Sequence, residues 1–135
     1  MNEVNVKYTG CMGFQVQANG HTLTVDLSKE KGGSDQGMNP QEVFMASLGS
    51  CIGVYVTRYC QNAKLDADGM DIHLDWSLID DKTKIKIINI KIELPNADVG
   101  RRKDALLQVA HHCLIHNTIQ NPPEIKMALS ARDIS

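Results

Sequence analysis

The chain has 135 residues, 42% of them hydrophobic and 22% charged, with a formal net charge of −2. Such a length and composition suit one globular domain over residues 1–135, and the weak charge offers nothing to nucleic acid or an anionic membrane surface. No stretch approaches the roughly 18 apolar residues that cross a bilayer, so no membrane partner is expected. Met1 to Tyr8 alternates and carries charge, unlike a basic segment followed by an apolar run, so a cytoplasmic location is expected.

In chain order, residues 3–8 (EVNVKY) and 14–18 (FQVQA) alternate at period two, as half-buried strands do. Thr9-Gly10-Cys11-Met12-Gly13 reads as the turn between them. Asn19-Gly20 separates the second run from HTLTVDL, residues 21–27, and is a strong hairpin signal. Three antiparallel strands therefore open the chain. Residues 28–38 (SKEKGGSDQGM) are polar and glycine-rich, a loop.

The longest helix is predicted from Pro40 to about Asn62. Asn39 suits the N-cap, Pro40 the first helical position and Glu42 the capping-box position. This helix is apolar on most sides, which predicts burial in a core or an interface. Gly49, Ser50 and Gly53 surround Cys51, and each glycine costs roughly 1 kcal/mol against alanine in a helix interior. Their presence suggests the close approach of another backbone or a ligand.

Residues 70–79 and 84–94 alternate as two further strands. In the second, the phase slips between Ile87 and Ile88, which predicts a bulge or a change of packing layer there. Pro95-Asn96 ends it. A helix follows from about Val99 to His111, then a short one from Leu114 to Gln120. A last strand is expected at 124–131 (EIKMALSA). Hairpins around long helices point to an α+β fold.

The four cysteines are Cys11, Cys51, Cys60 and Cys113. Without a secretion signal, catalytic, metal-binding or plain buried thiols are favoured over a disulfide framework. Cys51, in SLGSC, has two readings on its own, small core residue or nucleophile. Cys113, in HHCLIHNTI, sits at a junction between helices, where a helix start lowers a thiol pKa. His111, His112 and His116 lie within a turn or so of it. They read equally as exposed polar residues or as cations beside a thiolate. Zinc on Cys113 and His116 has a plausible spacing but lacks a second paired cluster, so no metal is assigned. Cys11 reads as a turn residue and Cys60 as core.

GGSDQGMNPQEVFMASLGSC, residues 32–51, resembles the signature of the OsmC/Ohr superfamily, the osmotically inducible and organic hydroperoxide resistance proteins. HHCLIHNTI, residues 111–119, resembles its second cysteine motif. The resemblance covers essentially the whole chain. It implies an OsmC-like fold, with antiparallel sheets wrapped around long central helices in an intertwined homodimer. It also implies that Cys51 attacks an organic hydroperoxide, that Cys113 resolves the sulfenic acid, and that an external dithiol reduces the disulfide without a resident cofactor. The family's peroxidases activate the first cysteine with an N-terminal arginine and a glutamate ten positions before it. Here Gln41 holds the glutamate position, Glu42 is its neighbour, and Tyr8 to Gln15 contains no arginine. Leu114 replaces a common proline. Arg58, His111, His112 and His116 are the candidate substitutes. The competing reading is a non-peroxidatic protein on the same fold that binds a small apolar molecule or relays thiols.

Overall fold

The structure is a computed structural model and describes residues 2–132. Its longest element, helix α1 (Pro40–Ala63), starts as the sequence specifies. The Asn39 side chain accepts from the Glu42 N–H at 2.9 Å, and the Glu42 carboxylate accepts from the Asn39 N–H at 2.9 Å. These two bonds satisfy donors that the first turn would leave free. Lys64, at φ 57°, ends the helix in the left-handed conformation.

Before α1, strands β1 (Asn5–Gly10), β2 (Gly13–Ala18) and β3 (His21–Val25) form an antiparallel sheet in that order. Asn19 and Gly20 take φ of 51° and 80°, as a tight two-residue hairpin requires. The register aligns Val6 with Val16 and Val16 with Leu23, and likewise Tyr8, Phe14 and Val25. One face is thus apolar, yet Val6 and Tyr8 are 57% and 65% exposed.

After α1, β4 (Asp71–Leu78) and β5 (Ile85–Glu93) form a second antiparallel pair. The expected bulge exists, one position earlier than the sequence suggested. Ser77 pairs with Ile87 and Leu78 with Ile85, leaving Lys86 as the extra residue. Ile85 thereby returns to the face of Ile88, Ile90 and Ile92, and Ile87 alone points outward at 49% exposure. Helices α2 (Lys103–His111) and α3 (Leu114–Gln120) follow a short 3₁₀ turn at Gly100–Arg102.

The core is the face of α1 that carries Leu48, Ile52, Val56 and Cys60, closed by Leu106, Ala110 and Cys113. The inward side chains of β4 and β5 pack around it. Contrary to expectation, α1 reaches the length and mean hydropathy of a bilayer span. One stripe of it is filled by the protein's own core, while Phe44 and Val54 on other sides stay 38% and 48% exposed.

Two other expectations fail. Residues 124–131 form no strand; Ile125, Met127 and Leu129 are 75%, 92% and 93% exposed. An alternating sequence makes a strand only where a sheet edge receives it, and none of this chain's described edges does. Gly49 and Gly53 do not make room beside Cys51. A Cβ on Gly49 would meet the Leu74 methyl at 2.8 Å and one on Gly53 the Ile72 methyl at 3.3 Å. These glycines let β4 lie close on α1.

Candidate functional site: a pair of thiols between α1 and α3

Cys51 sits half-buried in the middle of α1, and Cys113 is fully buried at the N-cap of α3. Packing of α1 against α2 and α3 carries them into one cluster, with Cys51 lying against the buried core that contains Cys113. Both are free thiols. The Cys113 Sγ also accepts the His116 N–H at 3.3 Å, as an N-cap side chain does.

Burial pushes the Cys113 thiol up, and the neighbouring Cys51 side chain adds to the effect. The His116 and Ile115 N–H groups pull the other way without overcoming it. The expected lowering at a helix start is therefore reversed: one short helix offers less than full removal from water costs. Cys60 is buried likewise, and burial raises its thiol. Cys11 occupies the β1–β2 turn, exposed, at φ 49°.

The candidate activating groups lie elsewhere. Gln41 is ten positions before Cys51, about 15 Å along a helix axis. Its Oε1 accepts from the Trp76 indole N–H at 2.8 Å, which ties the start of α1 to β4. Glu42 is held in the capping box. The Arg58 guanidinium lies 5.9 Å from the Tyr55 ring centre, an exposed cation–π contact. The His112 Nδ1 lies 2.7 Å from the Gln108 carbonyl, which accepts from it. His116 meets Cys113 through its backbone, while its ring stacks on His111 with centroids 5.3 Å apart.

Sequence reasoning missed Asp26. Its side chain, 3% exposed, accepts from the N–H groups of Leu27 at 2.8 Å and of Ser34 and Gln36 at 3.2 Å. The glycine-rich loop is wound around this carboxylate. Gly33 and Gly37 lie so close to the Leu27 and Thr24 carbonyls that neither admits a Cβ. A lone acid between Val25 and Leu27 at a strand end was the available signal. The loop delivers Met38 to a bridge with Val25 and Asn39 to the cap of α1.

The family model for OsmC-like protein matches residues 32–128. The chain belongs to this family. It is 27% identical over 119 residues to an uncharacterized protein of Methanocaldococcus jannaschii and spans 62% of that relative's length. A protein of Psychrobacter arcticus, described as an osmotic stress induced and detoxification response protein, superimposes with a TM-score of 0.80 at 15% identity, over 87% of this chain and 88% of that one. An OsmC-like protein of Mycoplasma pneumoniae gives 0.74 at 16% identity, over 89% and 87%. An organic hydroperoxide resistance protein of Legionella pneumophila gives 0.64 at 19% identity, over 89% and 90%. The OsmC-like α+β fold is therefore the fold of this chain.

Proposed function

We propose that this protein reduces organic hydroperoxides through a thiol–disulfide cycle of Cys51 and Cys113. The observation that carries the reading is that two free thiols from separate elements meet in one packed cluster, close enough for Cys51 to push the Cys113 thiol up. Membership of a family whose relatives include named hydroperoxide resistance proteins supports the reaction class. The Cys51 thiolate attacks the outer peroxide oxygen, the O–O bond breaks, and the alkoxide takes a proton and leaves as alcohol. Cys51, oxidised by two electrons, becomes a sulfenic acid. The Cys113 sulfur then attacks Cys51, the S–O bond breaks, and water departs with the Cys113 proton. An external dithiol reduces the disulfide, with no resident cofactor. A raised Cys113 pKa suits a resolving thiol, since it lessens competition with Cys51 for peroxide. Such a cycle needs a reducing compartment, consistent with the cytoplasm.

The test is consumption of cumene hydroperoxide with dithiothreitol. Cys51→Ser should cut the rate by about two orders of magnitude or more. Cys113→Ser should leave a dimedone-reactive sulfenic acid on Cys51. Peptide mapping that finds both residues as free thiols under excess peroxide overturns the reading. The alternative is then a non-peroxidatic protein that binds a small apolar molecule or relays thiols. The Gln41–Trp76 bond favours that alternative, because it occupies the position of the family's activating glutamate.

The partner in this reading is a second copy of the chain. Glu42, Ala46, Ser50, Val54 and Arg58 form an exposed stripe at i, i+4 spacing on α1. Glu42 and Arg58 are the only charges on α1 and lie equally far from Ser50. An antiparallel pair of such helices, crossing at Ser50, brings Glu42 of each subunit toward Arg58 of the partner subunit. Sedimentation equilibrium should find a dimer at micromolar concentration. Arg58→Glu should weaken it, and the swap Glu42→Arg with Arg58→Glu should restore it. A stable wild-type monomer sinks the proposal.

A further inference from the structure

On another face of α1, three adjoining hollows of about 830, 100 and 240 Å³ follow the inward side of β5. The first and second share Ile90, His111 and His116, and the second and third share Ile92 and Leu107. Together they make one trough with an aliphatic floor. Its wide end is walled by Ile85 and Ile88 and its narrow end by Leu94 and Val99. The charged and polar residues of its lining are Lys84, Lys86, His111, His116, Gln120 and Lys103. None is acidic, although the whole chain carries a net charge of −2. The basic groups are also segregated: two lysines and both histidines gather at the wide end, and Lys103 stands alone at the other. By contrast, the groove over the outer stripe of α1 holds both Glu42 and Arg58.

We propose that this trough binds a straight-chain carboxylate, its headgroup at Lys84 and Lys86 and its tail along β5 toward Leu94. An apolar floor with cations at one mouth matches an amphiphilic anion, because the tail gains by leaving water while the charge keeps a partner. From Ile88 to Leu94 a strand rises about 20 Å, enough for a long chain. The ring N–H groups of His111 and His116 add hydrogen-bond donors where the headgroup enters. Neither Cys51 nor Cys113 lines the trough, so the site is separate from the thiol pair and does not rest on the peroxidase reading.

Calorimetric titration of the reduced full chain with octanoate, decanoate and dodecanoate tests it, with dodecanol as the uncharged control. One ligand should bind per subunit, about fourfold tighter for each added methylene while the trough has room. Dodecanol should bind at least about tenfold more weakly than dodecanoate. Lys84→Glu with Lys86→Glu should weaken dodecanoate by about tenfold or more, while dodecanol and the Lys103→Glu variant stay within about twofold of their references. Raising salt on the unmodified chain should weaken dodecanoate and leave dodecanol unchanged, a readout that needs no variant. Equal binding of dodecanol and dodecanoate, or indifference to both salt and charge reversal, overturns the proposal. A loss carried by Lys103→Glu instead overturns the headgroup placement.

Discussion

The body of α1, α2, α3 and β4–β5 differs from the N-terminal sheet in what covers its apolar face. In the body, Leu48 and Ile52 are each 2% exposed and Val56 1%. In the sheet, an equally regular apolar face leaves Val6 and Tyr8 more than half exposed, with the Tyr8 and Phe14 rings tilted against each other, centroids 5.7 Å apart. Both regions have good local patterns. Only the body finds, within one chain, the second layer that a pattern needs. The sheet is joined to the body through the Asp26 loop and the Val25–Met38 bridge, while the extensive packing runs among α1, α2, α3 and β4.

The largest effect should come from emptying the body's core. Ile52→Ala should cost about 2–5 kcal/mol in denaturant unfolding, because a packed site cannot collapse around the lost atoms. Val6→Ser in the sheet should cost within about 0.5 kcal/mol if the sheet face stays in water. A larger cost that depends on protein concentration would mean that a second chain covers the sheet, and the contrast between the regions would then hold for one chain alone.

A smaller effect lies at the junction of the two regions. Removal from water pushes the Asp26 carboxyl up, but the N–H groups of Leu27, Gln36 and Ser34 together hold it below the usual range. A folded-state pKa below the unfolded one means a contribution that is complete above the unfolded value of about 3.9 and is lost as pH falls through the folded value. Hydrogen exchange at Ser34 and Gln36, measured against the free-chain rate at each pH, should therefore speed up as pH falls through that window. Asp26→Asn should speed it already at neutral pH and flatten the acid dependence. An unchanged exchange pattern in that variant would show that the close-packed glycines hold the loop alone.

The smallest effect concerns the start of α1. Gln41→Glu should leave the peroxide rate within about twofold, because Gln41 faces Trp76 and stands about 15 Å along the helix from Cys51. A large gain would mean that a resident cation already waits for a carboxylate there.

The chain's alternations, its Asn19-Gly20 turn and the Asn39-Pro40-Glu42 start are written in local chemistry, and β1, β2, β3 and α1 follow them closely. Hydrogen bonds a few residues apart decide such features, so neighbours in sequence suffice. The pairing of Cys51 with Cys113 was legible only through motif resemblance, since the residues are 62 positions apart and the contact depends on how α1 packs on α3. Tertiary structure alone decided the rest. It gave Gly49 and Gly53 to β4, placed the bulge at Lys86, tied Gln41 to Trp76, and raised rather than lowered the Cys113 thiol. It also left 124–131 without a sheet edge. Each outcome depends on burial and on which distant side chain arrives first, and a period-two or 3.6-residue pattern carries information about neither.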